Sequence, residues 1–229
     1  MRLAGDEWQV RAEPTLHPAL NLRRVSQLTK ERTAVRAFIA LPIPEAVKAE
    51  IARVQDELRR VLPEKTVRWT KRDQFHLTLR FLGNVDANRL PALTDALRGA
   101  CSGFPVLKLR AERIGCFPDL RFPRVVWVWV HDDAEHLLAL QRGIETAVAE
   151  FAERKEEKKF TGHVTIGRIN EFKRPQAEAL AKLAHSLTEH RFGEWTANDV
   201  RLMRSELSES GAVHSVLDEF ALAAVPAAQ

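Results

Sequence analysis

His76-Leu77-Thr78-Leu79 recurs 87 residues later as His163-Val164-Thr165-Ile166. Both copies alternate a polar side chain with an apolar one, which is the period of a half-buried β-strand. In each copy the imidazole and the hydroxyl share one face, and the apolar pair turns toward a core. A helix would separate the histidine from the threonine. A chain with this pattern twice therefore builds two strands with the same polar face.

The other elements are punctuated around these strands. Val35 to Leu41 reads as a strand stopped by Pro42. Pro44 suits the first turn of a helix, and Val47, Ile51, Val54, Leu58 and Val61 follow at helical spacing. Val67 to Trp69 is a short strand. From Phe75 to Leu82 the alternation puts Phe75, Leu77, Leu79 and Phe81 on one side and His76, Thr78 and Arg80 on the other, with Gly83-Asn84 as its end. Asp86 is placed to cap a helix carrying Leu90, Leu93 and Leu97. Val106 to Ile114 is a strand and Cys116 to Pro123 a loop. Val125 to Val130 is a strand covered on both faces, with Trp127 and Trp129 expected in the core. Helices are expected from Leu137 to Phe151 and from Pro175 to Leu187, with a strand from Phe160 to Ile169 between them. Val200 to Leu207 and Ala212 to Leu222 form a final pair of strands across Ser208-Glu209-Ser210-Gly211. Hairpin-like joins and four helices predict an α+β fold with antiparallel sheets.

Composition narrows the function classes. The 229 residues are 45% hydrophobic and 29% charged, which suits one ordinary domain or two small lobes and excludes a disordered tail. The apolar runs are too short to span a bilayer, so no membrane role is expected. A net charge of +4 permits an anionic partner without demanding one. Cys101 and Cys116 can make neither a disulfide framework nor a zinc knuckle, and both read as small buried hydrophobes. Met1 to Val10 has no apolar signal segment, so the expected location is cytoplasmic. No glycine-rich phosphate loop or dinucleotide fingerprint occurs, and no cofactor is expected. Residues 1–34 lack a convincing period and read as an extension, poorly ordered or preceding an initiator at Val35. The folded region is expected over residues 35–222, with 223–229 as a tail.

The paired motifs suit one kind of chemistry. Two histidines across a cleft can serve as general base and general acid near neutral pH. Thr78 and Thr165 can donate hydrogen bonds to phosphate oxygens, and Arg168, five residues after His163, offers a guanidinium for the same anion. One His-x-Thr carries no weight, because threonine is a common strand residue. Two matched copies are specific, though duplication without function stays open. A metal site lacks a third ligand at a clear spacing. His17, His131, His136, His185, His190 and His214 stand alone and read as surface or structural residues.

The sequence resembles the two-histidine phosphoesterases, and most closely the RNA 2′,3′-cyclic phosphodiesterases, also called 2′-5′ RNA ligases. The resemblance is carried by Arg36 to Pro42, Trp69, Phe75 to Gly83, Gly115 to Pro118, Pro123 to Trp127, Gly162 to Arg168 and Leu202 to Leu207, in order. It implies a bilobal fold with two antiparallel sheets facing each other across a cleft, helices outside and one His-x-Thr motif per lobe. It also implies metal-independent opening of a 2′,3′-cyclic phosphate at an RNA end to a 2′-phosphate. His163 would activate water, His76 would protonate the departing 3′ oxygen, and Thr78, Thr165 and Arg168 would hold the phosphate. The expected partners are RNA ends, tRNA fragments among them, met by a monomer. Many relatives carry proline where this chain has Gly162, which would leave His163 more loosely placed.

Several neighbours have two readings. Phe38 and Phe81 could stack on a base or sit in the core. Arg80 could add positive field to the cleft or end its strand at the surface. Lys71, Arg72, Lys158, Lys159, Lys173 and Arg174 could line an RNA path or form a solvated face. Two alternatives to hydrolysis stay open: RNA joining as the working direction, and a non-catalytic nucleotide- or RNA-binding module.

Overall fold

The computed structural model describes residues 34–63, 65–155, 157, 159–170, 174–208 and 211–223, with the side chain of Arg174 left out. The expected extension, apart from Ala34, and the tail beyond Ala223 lie outside these residues, as do Lys158 and Lys173.

The described chain forms strands β1 (Ala34–Pro42), β2 (Val67–Trp69), β3 (His76–Asp86), β4 (Leu107–Phe117), β5 (Val125–His131), β6 (His163–Ile169), β7 (Arg191–Ala197), β8 (Asp199–Ser208) and β9 (Gly211–Ala221). The helices are α1 (Glu45–Val61), α2 (Leu90–Cys101), α3 (His136–Val148) and α4 (Arg174–Ser186). This is the expected α+β class with the expected four helices. α1 buries Val47, Ile51, Val54 and Leu58 on one stripe. It stops at Leu62, which is extended because Pro63 follows. Asp86 does cap, accepting from the backbone N–H of Asn88 at 2.9 Å in a short turn that leads into α2. Asp132 accepts from the N–H groups of His136 and Leu137 at the start of α3.

The strands run in the order β7-β4-β5-β6-β3-β1-β8-β9 in a curled sheet, with β2 also on β6. The two expected sheets are thus the halves β7-β4-β5-β6 and β3-β1-β8-β9. One register pair, Leu77 with Val164, hydrogen bonds the halves together. Helices reinforce this thin seam by crossing it. α1, which follows β1, packs on β7, and α3, which follows β5, packs on β3. The apolar faces of both halves meet these helices in one core that includes Ile39, Leu77, Leu79, Val126, Val128, Val164 and Ile166. Cys101 and Cys116 are buried free thiols, as expected.

Beside shifts of up to three residues at other ends, such as β6 beginning at His163 and α3 ending at Val148, three elements depart from the sequence reading. β3 does not end at Gly83. It continues to Asp86, and Gly83 takes φ +76° where a Cβ would collide with Glu153. β4 runs on through Cys116 and Phe117, which pair with Val126 and Val125, so the loop is shorter than expected. β7 has no counterpart in the sequence reading. It is an edge strand of mixed polarity, with Gly193 at φ +138°, and polar edges suppress the alternation that identifies a strand.

Candidate active site

β3 and β6 bring the two motifs together. Their pairing is antiparallel through Leu77 and Val164, so one motif lies end for end against the other. By that register His76 falls beside Thr165 and Thr78 beside His163. All four polar side chains are partly exposed, whereas Leu77, Leu79, Val164 and Ile166 are buried on the helix side.

Each imidazole is held the same way. Nδ1 of His76 lies 2.7 Å from the carbonyl oxygen of Gln74, and Nδ1 of His163 lies 2.8 Å from that of Thr161. A carbonyl only accepts, so each Nδ1 carries a proton and each Nε2 keeps its lone pair. Neighbouring rings complete both mounts. Phe38 and His214 flank His76 at centroid distances of 4.8 and 5.2 Å. Phe117 and Trp127 flank His163 at 5.0 and 6.2 Å.

Burial disfavours the charged form of each imidazole. It pushes His76 down to about 4, against the pull of the Gln74 carbonyl, and positive charge at His214, His163 and Lys48 adds to the effect. His163 is lowered by burial and by the Arg168 guanidinium, with the Thr161 carbonyl opposing. His214 is lowered by burial, with Asp73 opposing.

A strand irregularity brings Arg168 to this face. Thr165 pairs with Trp127 and Arg168 with Val125, and those β5 residues are two apart, on one face. Three steps along β6 thus match two along β5, which is a bulge. The buried Gln55 of α1 braces it, donating to the carbonyls of Ile166 at 2.8 Å and Thr70 at 2.9 Å. Sequence reasoning passed over Gln55, a polar residue on an apolar helix stripe.

The same phase change occurs in β3 and corrects the reading of Arg80. Leu79, Arg80 and Leu82 are all buried, and Phe81 is 55% exposed. Arg80 turns to the helix side, where its Nε lies 2.8 Å from Oε2 of Glu145 and its Nη2 donates to the carbonyl of Arg154. It adds no charge to the cleft. Phe81 instead reaches Phe38, at 5.7 Å. Phe81 and Arg168 are each five residues after a motif histidine. Phe38 is only 2% exposed, enclosed by the rings of His76, Phe81 and His214.

Other expectations change as well. Trp127 and Trp129 are partly exposed beside the motif, paired with Thr165 and His163. Trp129 lies between the ring of His131 at 3.9 Å and the guanidinium of Arg113 at 3.7 Å. His214, read as solitary, stands against His76 because β9 pairs with β8 beside β1. Gln74 links the two, since its side-chain amide donates to the Ala212 carbonyl of β9 while its own carbonyl holds His76. Gly162 is not slack. Its carbonyl accepts from the N–H of Val130 at 2.9 Å, and a Cβ there would lie 2.2 Å from the Val130 oxygen. Arg72 pairs with Glu45, and Lys71 and Lys159 are exposed. Among the described residues no three histidines, cysteines or carboxylates are grouped to hold a metal ion, and no helix is long and apolar enough to cross a membrane.

A family model described as LigT-like phosphoesterase matches the chain twice, over residues 41–127 and 128–214. The chain belongs to the LigT-like phosphoesterase family. Each match contains one His-x-Thr motif, His76 to Thr78 in the first and His163 to Thr165 in the second. The phosphoesterase is 29% identical over 189 residues to the RNA 2′,3′-cyclic phosphodiesterase of Methanothermobacter thermautotrophicus, covering 82% of this chain and 99% of that one. It is 30% identical over 197 residues to the protein of the same description from Thermus thermophilus, covering 82% and 90%. Among solved structures, a protein of Thermus thermophilus matches with TM-score 0.67 at 27% identity, over 82% of this chain and 97% of that one. E. coli LigT in complex with 3′-AMP shares the fold, with TM-score 0.65 at 22% identity over 82% and 98%.

Proposed function

We propose that this phosphoesterase opens 2′,3′-cyclic phosphates at RNA ends to 2′-phosphates, without a metal ion. One observation carries the reading: two imidazoles with both Nδ1 atoms tied to carbonyls and both Nε2 atoms free on the same face. The names of the relatives supply the substrate class.

Nε2 of His163 takes a proton from water as the water oxygen bonds to phosphorus. The P–O3′ bond breaks, and its electron pair leaves on O3′, which receives a proton from Nε2 of His76. The hydroxyls of Thr78 and Thr165 and the guanidinium of Arg168 hold the non-bridging oxygens, where negative charge grows. In the empty cleft His76 is held neutral, at about 4. The bound phosphate anion supplies the charge that favours its protonated form. Phe81 offers its exposed face to the terminal base, with Phe38 as the ring beneath it. RNA joining would run through the same groups in reverse. In this reading the substrates are RNA fragments, cleaved tRNA among them, met by a single chain in the cytoplasm.

An oligonucleotide ending in a 2′,3′-cyclic phosphate, incubated with chelator, tests the reading. The expected product is a 2′-phosphate, with turnover lost in His76→Ala and in His163→Ala while the fold survives. Tight binding of a nucleoside 2′-phosphate with no turnover of the cyclic form would favour a binding module instead.

A further inference from the structure

Arg68 of β2 lies directly opposite Arg168 of β6. Facing residues in an antiparallel ladder project from the same side of the sheet, with Cα atoms about 5 Å apart. The next pair confirms the orientation. Trp69 faces Gly167 and packs against the core on the helix side, so Arg68 faces the histidine side. Both arginines are exposed, and among the described residues neither guanidinium has a carboxylate partner. Like charges directly opposite each other weaken a sheet. Here they are held firmly. A Cβ on Gly167 would lie 2.6 Å from Cγ1 of Val67, so the strands are in close contact. The Gln55 brace joins Thr70 and Ile166 next to them.

The pair has a defined position along the cleft. Arg168 is three residues past Thr165 in β6, and Phe81 is three past Thr78 in β3. β3 and β6 are antiparallel, so the arginines and Phe81 mark opposite ends of the seam.

We propose that Arg68, with Arg168, forms a second anion subsite for the phosphate on the 5′ oxygen of the terminal nucleoside, so that the enzyme prefers oligonucleotides to a cyclic mononucleotide. This rests on the cyclic-phosphate reading above. Arg168 then spans the two phosphates, and Arg68 contacts only the second.

Three substrates test it: a nucleoside 2′,3′-cyclic phosphate, the same compound with a 5′-phosphate, and a dinucleotide with the cyclic end. Wild type should favour the two substrates that carry the 5′-side phosphate. Arg68→Gln should lower kcat/KM for these two about tenfold more than for the plain mononucleotide, and Arg68→Lys should keep part of the preference. The salt dependence of the dinucleotide reaction should weaken in Arg68→Gln, as one screened phosphate contact is lost. Equal effects on all three substrates, or none, would overturn the subsite. A preference for the dinucleotide that the 5′-phosphorylated mononucleotide does not share would assign it to the upstream nucleoside and also overturn it. If wild type opens none of the three, the cyclic-phosphate reading itself has failed.

Discussion

Gly162→Ala is the smallest change that tests how tightly the second histidine is held. The new Cβ would lie 2.2 Å from the Val130 oxygen, 3.0 Å from Cδ2 of Leu137 and 3.3 Å from the Val130 carbonyl carbon. Carbon atoms of side chains essentially never come closer than 3.0 Å to another heavy atom, so the backbone has to yield by about 1 Å. The yielding strand is the one that carries His163, which pairs with Trp129 next to Val130. The hydrogen bond from Val130 N–H to Gly162 O, 2.9 Å long, stretches with it. In the proposed mechanism His163 is a reacting group, and misplacing it by this distance should cost about a hundredfold in rate. Overpacking of this kind costs about 1–3 kcal/mol of stability. The assay is kcat/KM on a cyclic-ended dinucleotide beside thermal unfolding. Gly143→Ala is the control, because a Cβ at that α3 position meets nothing within 4 Å. It should gain about 0.5–1 kcal/mol of stability from helix propensity. Wild-type turnover and stability in Gly162→Ala would show that β5 and β6 have slack there, and would refute the argument.

Acid should destabilise the empty protein through His76. Its folded value near 4 lies below the unfolded 6.5, so this stability is complete above pH 6.5 and is lost as pH falls toward 4, amounting to about 3 kcal/mol. Denaturant unfolding across that range should show the loss, and His76→Phe should remove the share of His76, leaving that of His163 and His214, which burial also lowers. Gln55→Leu strips the Thr70 carbonyl of its amide donor, which should cost about 1–3 kcal/mol. It should also lower kcat/KM by freeing the bulge that orients Arg168, whereas a normal rate would separate the brace from the site. Arg80→Met leaves Glu145 without its cation and should destabilise by about 1–3 kcal/mol, with kcat unchanged in the folded fraction. A matching fall in kcat would return Arg80 to the cleft.

The period-two repeat of His, Thr and apolar residues determines two strands with a polar and a buried face, and it singled out both histidines. Periodicity is local, and strand pairing preserves it. The helix stripes were legible for the same reason, since Val47, Ile51, Val54 and Leu58 report one buried line. Breaks in the alternation are where this legibility stopped. Strict alternation turns Arg80 toward His76 and Phe81 toward the core, and the structure reverses both. In β6 one residue unmatched by β5 changes the phase of everything after it, and no local pattern announces such a change. Register decided the rest. His214 meets His76, and Arg68 meets Arg168, across distances in sequence that only strand pairing spans. The sequence by itself singled out the side chains to which we assign acid–base chemistry on a phosphate. Tertiary structure alone decided which groups surround them, because those contacts follow from the order and register of strands far apart in the chain.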